Sequence, residues 1–144
     1  MNVGCSNSFN GEFKKQSSGG AIGNILTGAL AAAFMAVWAR EFKSVLANAT
    51  SEITAFRQFL LKIYVDDGNH VMTTLPAGSR LINGKIKIVD EEIENDLEIP
   101  GDQRTANIIT ELANTICPFI KLTVDAPSCN ASGWMLILDI QAKV

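Results

Sequence analysis

Basic excess, histidine and cysteine are what this chain has least of. Twelve Lys and Arg stand against fifteen Asp and Glu, giving a formal net charge of −3 and a pI near 5.1. No bulk positive field is therefore present to hold a nucleic-acid backbone by counterion release. Any phosphate contact has to come from local lysines, another segment or a metal ion. The single histidine argues against a histidine-built metal site or a Ser-His-Asp triad within the chain. Cys5, Cys117 and Cys129 are odd in number and far apart, which suits neither a disulfide framework nor a zinc ligand set, so a reducing, intracellular compartment (cytoplasm or nucleus) is expected. The first eight residues are small and polar, with no basic start leading directly into an apolar core, a poor match to a signal peptide. A Walker loop is excluded because no Gly-Lys-Ser/Thr follows the glycines, and their spacing is wrong for a dinucleotide fingerprint.

What is present reads as one domain of 144 residues, enough for a single core. Asn10-Gly11 is a tight-turn dipeptide and predicts a short hairpin at the start. Gly19, Gly20 and Gly23 then lead into a helix running from residue 24, with Asn24 as N-cap, to about residue 49. Residues 16–39 carry no charge, while Lys14, Lys15 and Arg40 flank them, so a membrane span has to be weighed. The window opens on Gln, Ser and Gly and is filled out by alanine, which is weakly hydrophobic. A core helix whose small residues lie close against a sheet is the expectation, and no membrane is expected as a partner.

The stretch that organises the chain is Phe59-Leu-Leu-Lys-Ile-Tyr-Val-Asp-Asp-Gly-Asn-His-Val-Met72. Strand formers from Leu60 to Val65 and again from His70 to Thr74 flank Asp66-Asp67-Gly68-Asn69, predicting a hairpin with its turn on those four residues. Adjacent carboxylates on a turn repel each other; a hard divalent cation offers one reason to hold them there, a solvated acidic turn another. Beyond it, Leu81-Ile-Asn-Gly84 followed by Lys85 to Val89 alternates with period two, an edge strand or hairpin arm with its lysines outward, and 90–98 is an acidic run read as a solvated loop or helix start. Asp102 is expected to cap a helix over 103–117 with Ala106, Ile109, Ala113 and Ile116 inward. Residues 119–124 are a strand by composition, 125–133 a loop, and 134–144 a final strand or split hairpin. The order predicts an α+β fold, an antiparallel sheet with helices packed on one face.

In this order the motifs resemble the palm of reverse transcriptases, of the Penelope-like or retron-like retroelement kind. Phe9 to Gln16 with Gly19, Gly23 and the following helix (9–49) is similar to motif B, the Gln-x-x-Gly-x-x-x-Gly box. Tyr64-Val65-Asp66-Asp67 within 59–74 resembles the YxDD hairpin of motif C, 102–124 resembles motif D, and Leu136-Ile-Leu-Asp-Ile140 the Leu-x-Leu-Asp strand near the primer grip. The resemblance implies that Asp66 and Asp67 are catalytic and bind Mg2+ in a two-metal site. It places Gln16, Gly19 and Gly23 against template and nucleotide, and Tyr64 beside the primer end. RNA template, DNA primer and deoxynucleotides would be the partners of the complete enzyme. Lys14, where a tyrosine commonly precedes the glutamine, and Gly20-Ala21 depart from the pattern. The expectation is a partial palm truncated upstream of motif B, without motif A's aspartate and inactive alone; Glu12, Asp102 and Asp125 are the acids that remain to face the pair. A palm-derived binding module without catalysis and a small membrane-anchored protein spanning at 16–39 are the alternatives.

Overall fold

The computed structural model describes residues 6–15, 23–64, 67–89, 98–132, 134–137 and 140–143. The class is α+β: the described residues form two α-helices, a one-turn 3-10 helix and eight strands, the strands paired two by two in four antiparallel sheets. Two compact units divide the chain, Met1–Trp38 and Ala39–Val144.

In the first unit, β1 (Ser6–Phe9) and β2 (Glu12–Lys15) pair from Ser6↔Lys15 to Phe9↔Glu12. The loop between them is Asn10-Gly11, with φ of 53° and 79°. Positive φ at both positions is the primed turn that matches strand twist, and Asn followed by Gly is the pair that adopts it at least cost. Gly23 has φ 92° immediately before Asn24. The Asn24 Oδ1 accepts the Leu26 N–H at 3.0 Å, satisfying one of the free donors at the start of α1 (Ile25–Ala49).

The expected core helix is realised only in its second half. Phe42, Leu46 and Ala49 are buried, and Trp38 is too, whereas Ile25, Leu26, Leu30, Phe34 and Val37 are exposed, Ile25 to 90%. A helix apolar nearly all round has no single face that names its neighbour, so sequence periodicity does not say how much of it this chain covers. By length and composition alone, α1 is long and apolar enough to cross a membrane.

In the second unit, the Thr50 hydroxyl donates to the Leu46 carbonyl at 2.8 Å where α1 ends, and Ile53 and Phe56 continue the buried set. The chain then forms β3 (Gln58–Tyr64) and β4 (Asp67–Met72). Their open end is tied by the Arg57 N–H donating to Thr73 Oγ1 at 2.8 Å and the Thr73 N–H donating to the Arg57 carbonyl at 2.9 Å. A second hairpin, β5 (Ser79–Ile82) and β6 (Lys85–Ile88), turns on Asn83 (φ 50°) and Gly84 (φ 74°), with Ile86 fully buried and Lys87 exposed on the opposite face.

Helix α2 (Gly101–Asn114) lays Ala106, Ile108, Ile109, Leu112 and Ala113 inward. Thr105 joins them at 2% exposed: its hydroxyl accepts the Leu75 N–H at 2.9 Å and donates to the Gly101 carbonyl at 2.7 Å, linking the 73–78 loop to the helix. Asp102 is not the cap. Pro100 holds the N-cap position, and its carbonyl accepts the Arg104 N–H at 2.9 Å, so Asp102 falls inside the first turn. The expected strand at 119–124 does not form either. The Asn114 amide accepts the Leu122 N–H at 2.7 Å and donates to the Leu122 carbonyl at 3.2 Å, occupying the two groups a partner strand would use. A one-turn 3-10 helix, Pro127–Cys129, follows; β7 (Trp134–Ile137) and β8 (Ile140–Lys143) then close the chain as a hairpin, the split form of the expected final strand. The acidic residues 90–97 lie outside the described residues, and Glu98 is exposed.

Candidate active-site hairpin

The β3–β4 hairpin carries the carboxylates, and its register differs from the expected one. Tyr64 pairs with Asp67, Ile63 with Gly68, Lys62 with Asn69, Leu61 with His70 and Leu60 with Val71, with a bulge at the Gln58/Leu60 step. Asp67, Gly68 and Asn69 are therefore strand residues of β4 and not part of a turn over Asp66-Asp67-Gly68-Asn69. Both registers put Leu61, Ile63, His70 and Met72 on one face, because sliding the pairing by an even number of residues, here four, preserves the alternation. The hydrophobic pattern consequently cannot choose between them. Gly68 is not at positive φ, unlike Gly78 (76°) and Gly84 (74°).

Asp67 is exposed at the first position of β4, and Tyr64 is the last residue of β3. Val65 and Asp66, as well as Gln16 and Gly19, lie outside the described residues. Gly23 is exposed in the first unit, before α1. Among the described residues, no group of three or more His, Cys, Asp or Glu is close enough to hold a metal ion. Asp67 supplies one carboxylate of the kind magnesium takes.

Asp102 Oδ2 accepts the Ser128 N–H at 2.9 Å. Burial pushes its carboxyl up, hydrogen bonds from Ser128, Gln103 and its own backbone N–H pull it down, and the net position is below the usual carboxylate range. Glu12 sits on β2 in the first unit, and Asp125 is exposed after α2.

His70 is the residue that composition alone passes over. It stands cross-strand from Leu61, with its ring edge-on to Phe42 of α1, the centroids 5.7 Å apart and the planes at 75°. Its Nε2 is buried without a hydrogen-bond partner, and burial lowers its pKa from the ordinary value of 6.5. The signal for it in the sequence is parity: position 70 shares the inward face with Leu61, Ile63 and Met72.

No family model matches the chain, and neither a curated protein nor a solved structure matches it.

Proposed function

We propose that this chain is part of the palm of a retroelement RNA-directed DNA polymerase, with the β3–β4 hairpin as its catalytic carboxylate-bearing element. The observation that supports the reading is the antiparallel pairing of Tyr64 with Asp67, the first and last residues of Tyr-Val-Asp-Asp, in a hairpin that follows a long asparagine-capped helix. Asp66 and Asp67 would hold magnesium, which in such enzymes activates the attacking hydroxyl and steadies the leaving group. This chain's own contribution is positional. β4 presents Asp67 to solvent, next to Asp66 in the sequence. Gln16, Gly19 and Gly23 would shape the nucleotide and template side, with RNA template, DNA primer and deoxynucleotides as partners, and Tyr64 would lie by the primer end.

Two adjacent acids do not complete a two-ion site, which takes ligands from a facing element as well. The isolated chain is therefore inactive in this reading. Joining it to an upstream polymerase segment that carries a facing aspartate tests the proposal: RNA-templated extension of a DNA primer should appear and should be lost in Asp66→Asn. Extension that survives Asp66→Asn, or a folded fusion that binds primer-template without extending it, would favour a palm-derived binding module.

A second reading is favoured by one observation, the exposure of Ile25, Leu26, Leu30, Phe34 and Val37 on α1. In a membrane-anchored protein these residues would meet lipid; in the palm reading they are covered by other parts of a polymerase. Extraction with alkaline carbonate separates the two.

A further inference from the structure

His70 is the chain's one histidine, and its place in the hairpin has a consequence independent of the polymerase reading. The ring is wedged between β4 and α1, against Phe42, with Nε2 enclosed and unpartnered. A neutral imidazole tolerates this, because Nε2 without a proton is an acceptor left unpaired, a modest cost. An imidazolium tolerates it less: protonation creates an N–H with no acceptor at the enclosed Nε2 and puts a charge on a half-buried ring. The charged groups of the packed elements are Arg40, Glu41 and Lys43 on α1, Lys62 on β3 and Asp67 on β4, and all are exposed. None offers the ring a counter-charge, in keeping with burial as the cause that shifts it.

We propose that His70 is a proton-sensitive latch, holding the β3–β4 hairpin against α1 while neutral and releasing it when protonated. The sign follows from linkage. A histidine whose folded-state value is depressed binds its proton more readily in the open state, so stability is full above about 6.5 and falls as pH drops below it. The loss ends once pH has passed the folded-state value, where both states are protonated. Release exposes the inward face of the hairpin and uncouples the Asp67 strand from the helix.

Hydrogen exchange of the β3 and β4 backbone amides, corrected for the intrinsic pH dependence of exchange, tests this on the whole chain. Wild type should lose protection by up to tenfold per pH unit below about 6.5, while the amides of α2 hold theirs. His70→Phe keeps an aromatic edge on Phe42 and removes the proton, so its hairpin protection should not change between pH 7.5 and 5. Equal pH dependence in His70→Phe, or a flat response in wild type, would overturn the latch. Should His70→Phe fail to fold, NMR titration of the lone imidazole in wild type decides. A midpoint below 6.5 that the hairpin amide shifts follow supports the latch. An ordinary midpoint, or hairpin shifts that ignore it, defeats it.

Discussion

Three glycine-to-alanine substitutions read the register of the candidate site directly. If the turn lay on Asp66-Asp67-Gly68-Asn69, Gly68 would sit where a tight turn commonly demands positive φ, and Gly68→Ala would be strained. In the observed register Gly68 is a strand residue opposite Ile63, and an added Cβ would meet Ile63 Cγ1 at 3.9 Å, an ordinary contact. Alanine there restricts the unfolded chain without straining the folded one, so Gly68→Ala should stabilise by about 0.4–1 kcal/mol. Gly84 provides the reference for pure backbone strain: φ is 74° and nothing lies within 4 Å of its would-be Cβ. Gly84→Ala should cost about 1–2 kcal/mol. Gly78 adds a collision to its φ of 76°, since a Cβ would stand 2.6 Å from the Val89 carbonyl oxygen. Its alanine variant should lose the most, about 3 kcal/mol or more. Urea titrations of the three variants, compared by midpoint at constant m, give the order. A loss at Gly68 equal to that at Gly84 would refute the register, and with it the position of Asp67 at the head of β4.

Thr105→Val should cost about 1–3 kcal/mol, because valine keeps the volume while leaving the buried Leu75 N–H without its acceptor, and Thr105→Ser should recover most of that in the same titration. Asn24→Ala should reduce stability by about 1 kcal/mol through loss of the cap at the start of α1, read as a lower helix signal on heating. On alkaline carbonate extraction the expressed chain should leave the membrane pellet; retention there would replace the polymerase reading with a membrane span through α1.

The parts of the fold that are legible in the sequence are those fixed by local chemistry. Asn10-Gly11 and Asn83-Gly84 determine their turns because few other residue pairs take positive φ twice at low cost, and Asn24 determines the start of α1 through a bond to the amide two residues on. Asp66-Asp67-Gly68-Asn69 offers just as much turn chemistry and is misleading. The two competing registers bury the same side chains, and the observed one takes Asp67, Gly68 and Asn69 into β4. The composition of residues 119–124 is equally persuasive as a strand, but the contact that takes up the backbone there is a single amide on α2, Asn114, which no pattern within 119–124 announces. Asp102 illustrates a smaller slip of the same kind: an acid near a helix start is easily recognised, whereas its exact position follows from where Pro100 allows the first turn to begin. For the candidate site, the motif is visible at once and the half-buried ring of His70 is not, since His70 matters through Phe42, twenty-eight positions away in the sequence and adjacent in the fold.

The central claim is that the tip of the β3–β4 hairpin presents carboxylates to a divalent cation, and manganese titration followed by NMR tests it most directly on the chain as it stands. Mn2+ should selectively broaden the amides of Tyr64, Asp67 and Gly68, with half-saturation on the order of millimolar because the ligand set is incomplete. The broadening should disappear in the Asp66→Asn, Asp67→Asn double variant. Broadening centred on another acidic segment, or persisting unchanged in the double variant, would contradict the assignment of Asp66 and Asp67 as metal ligands.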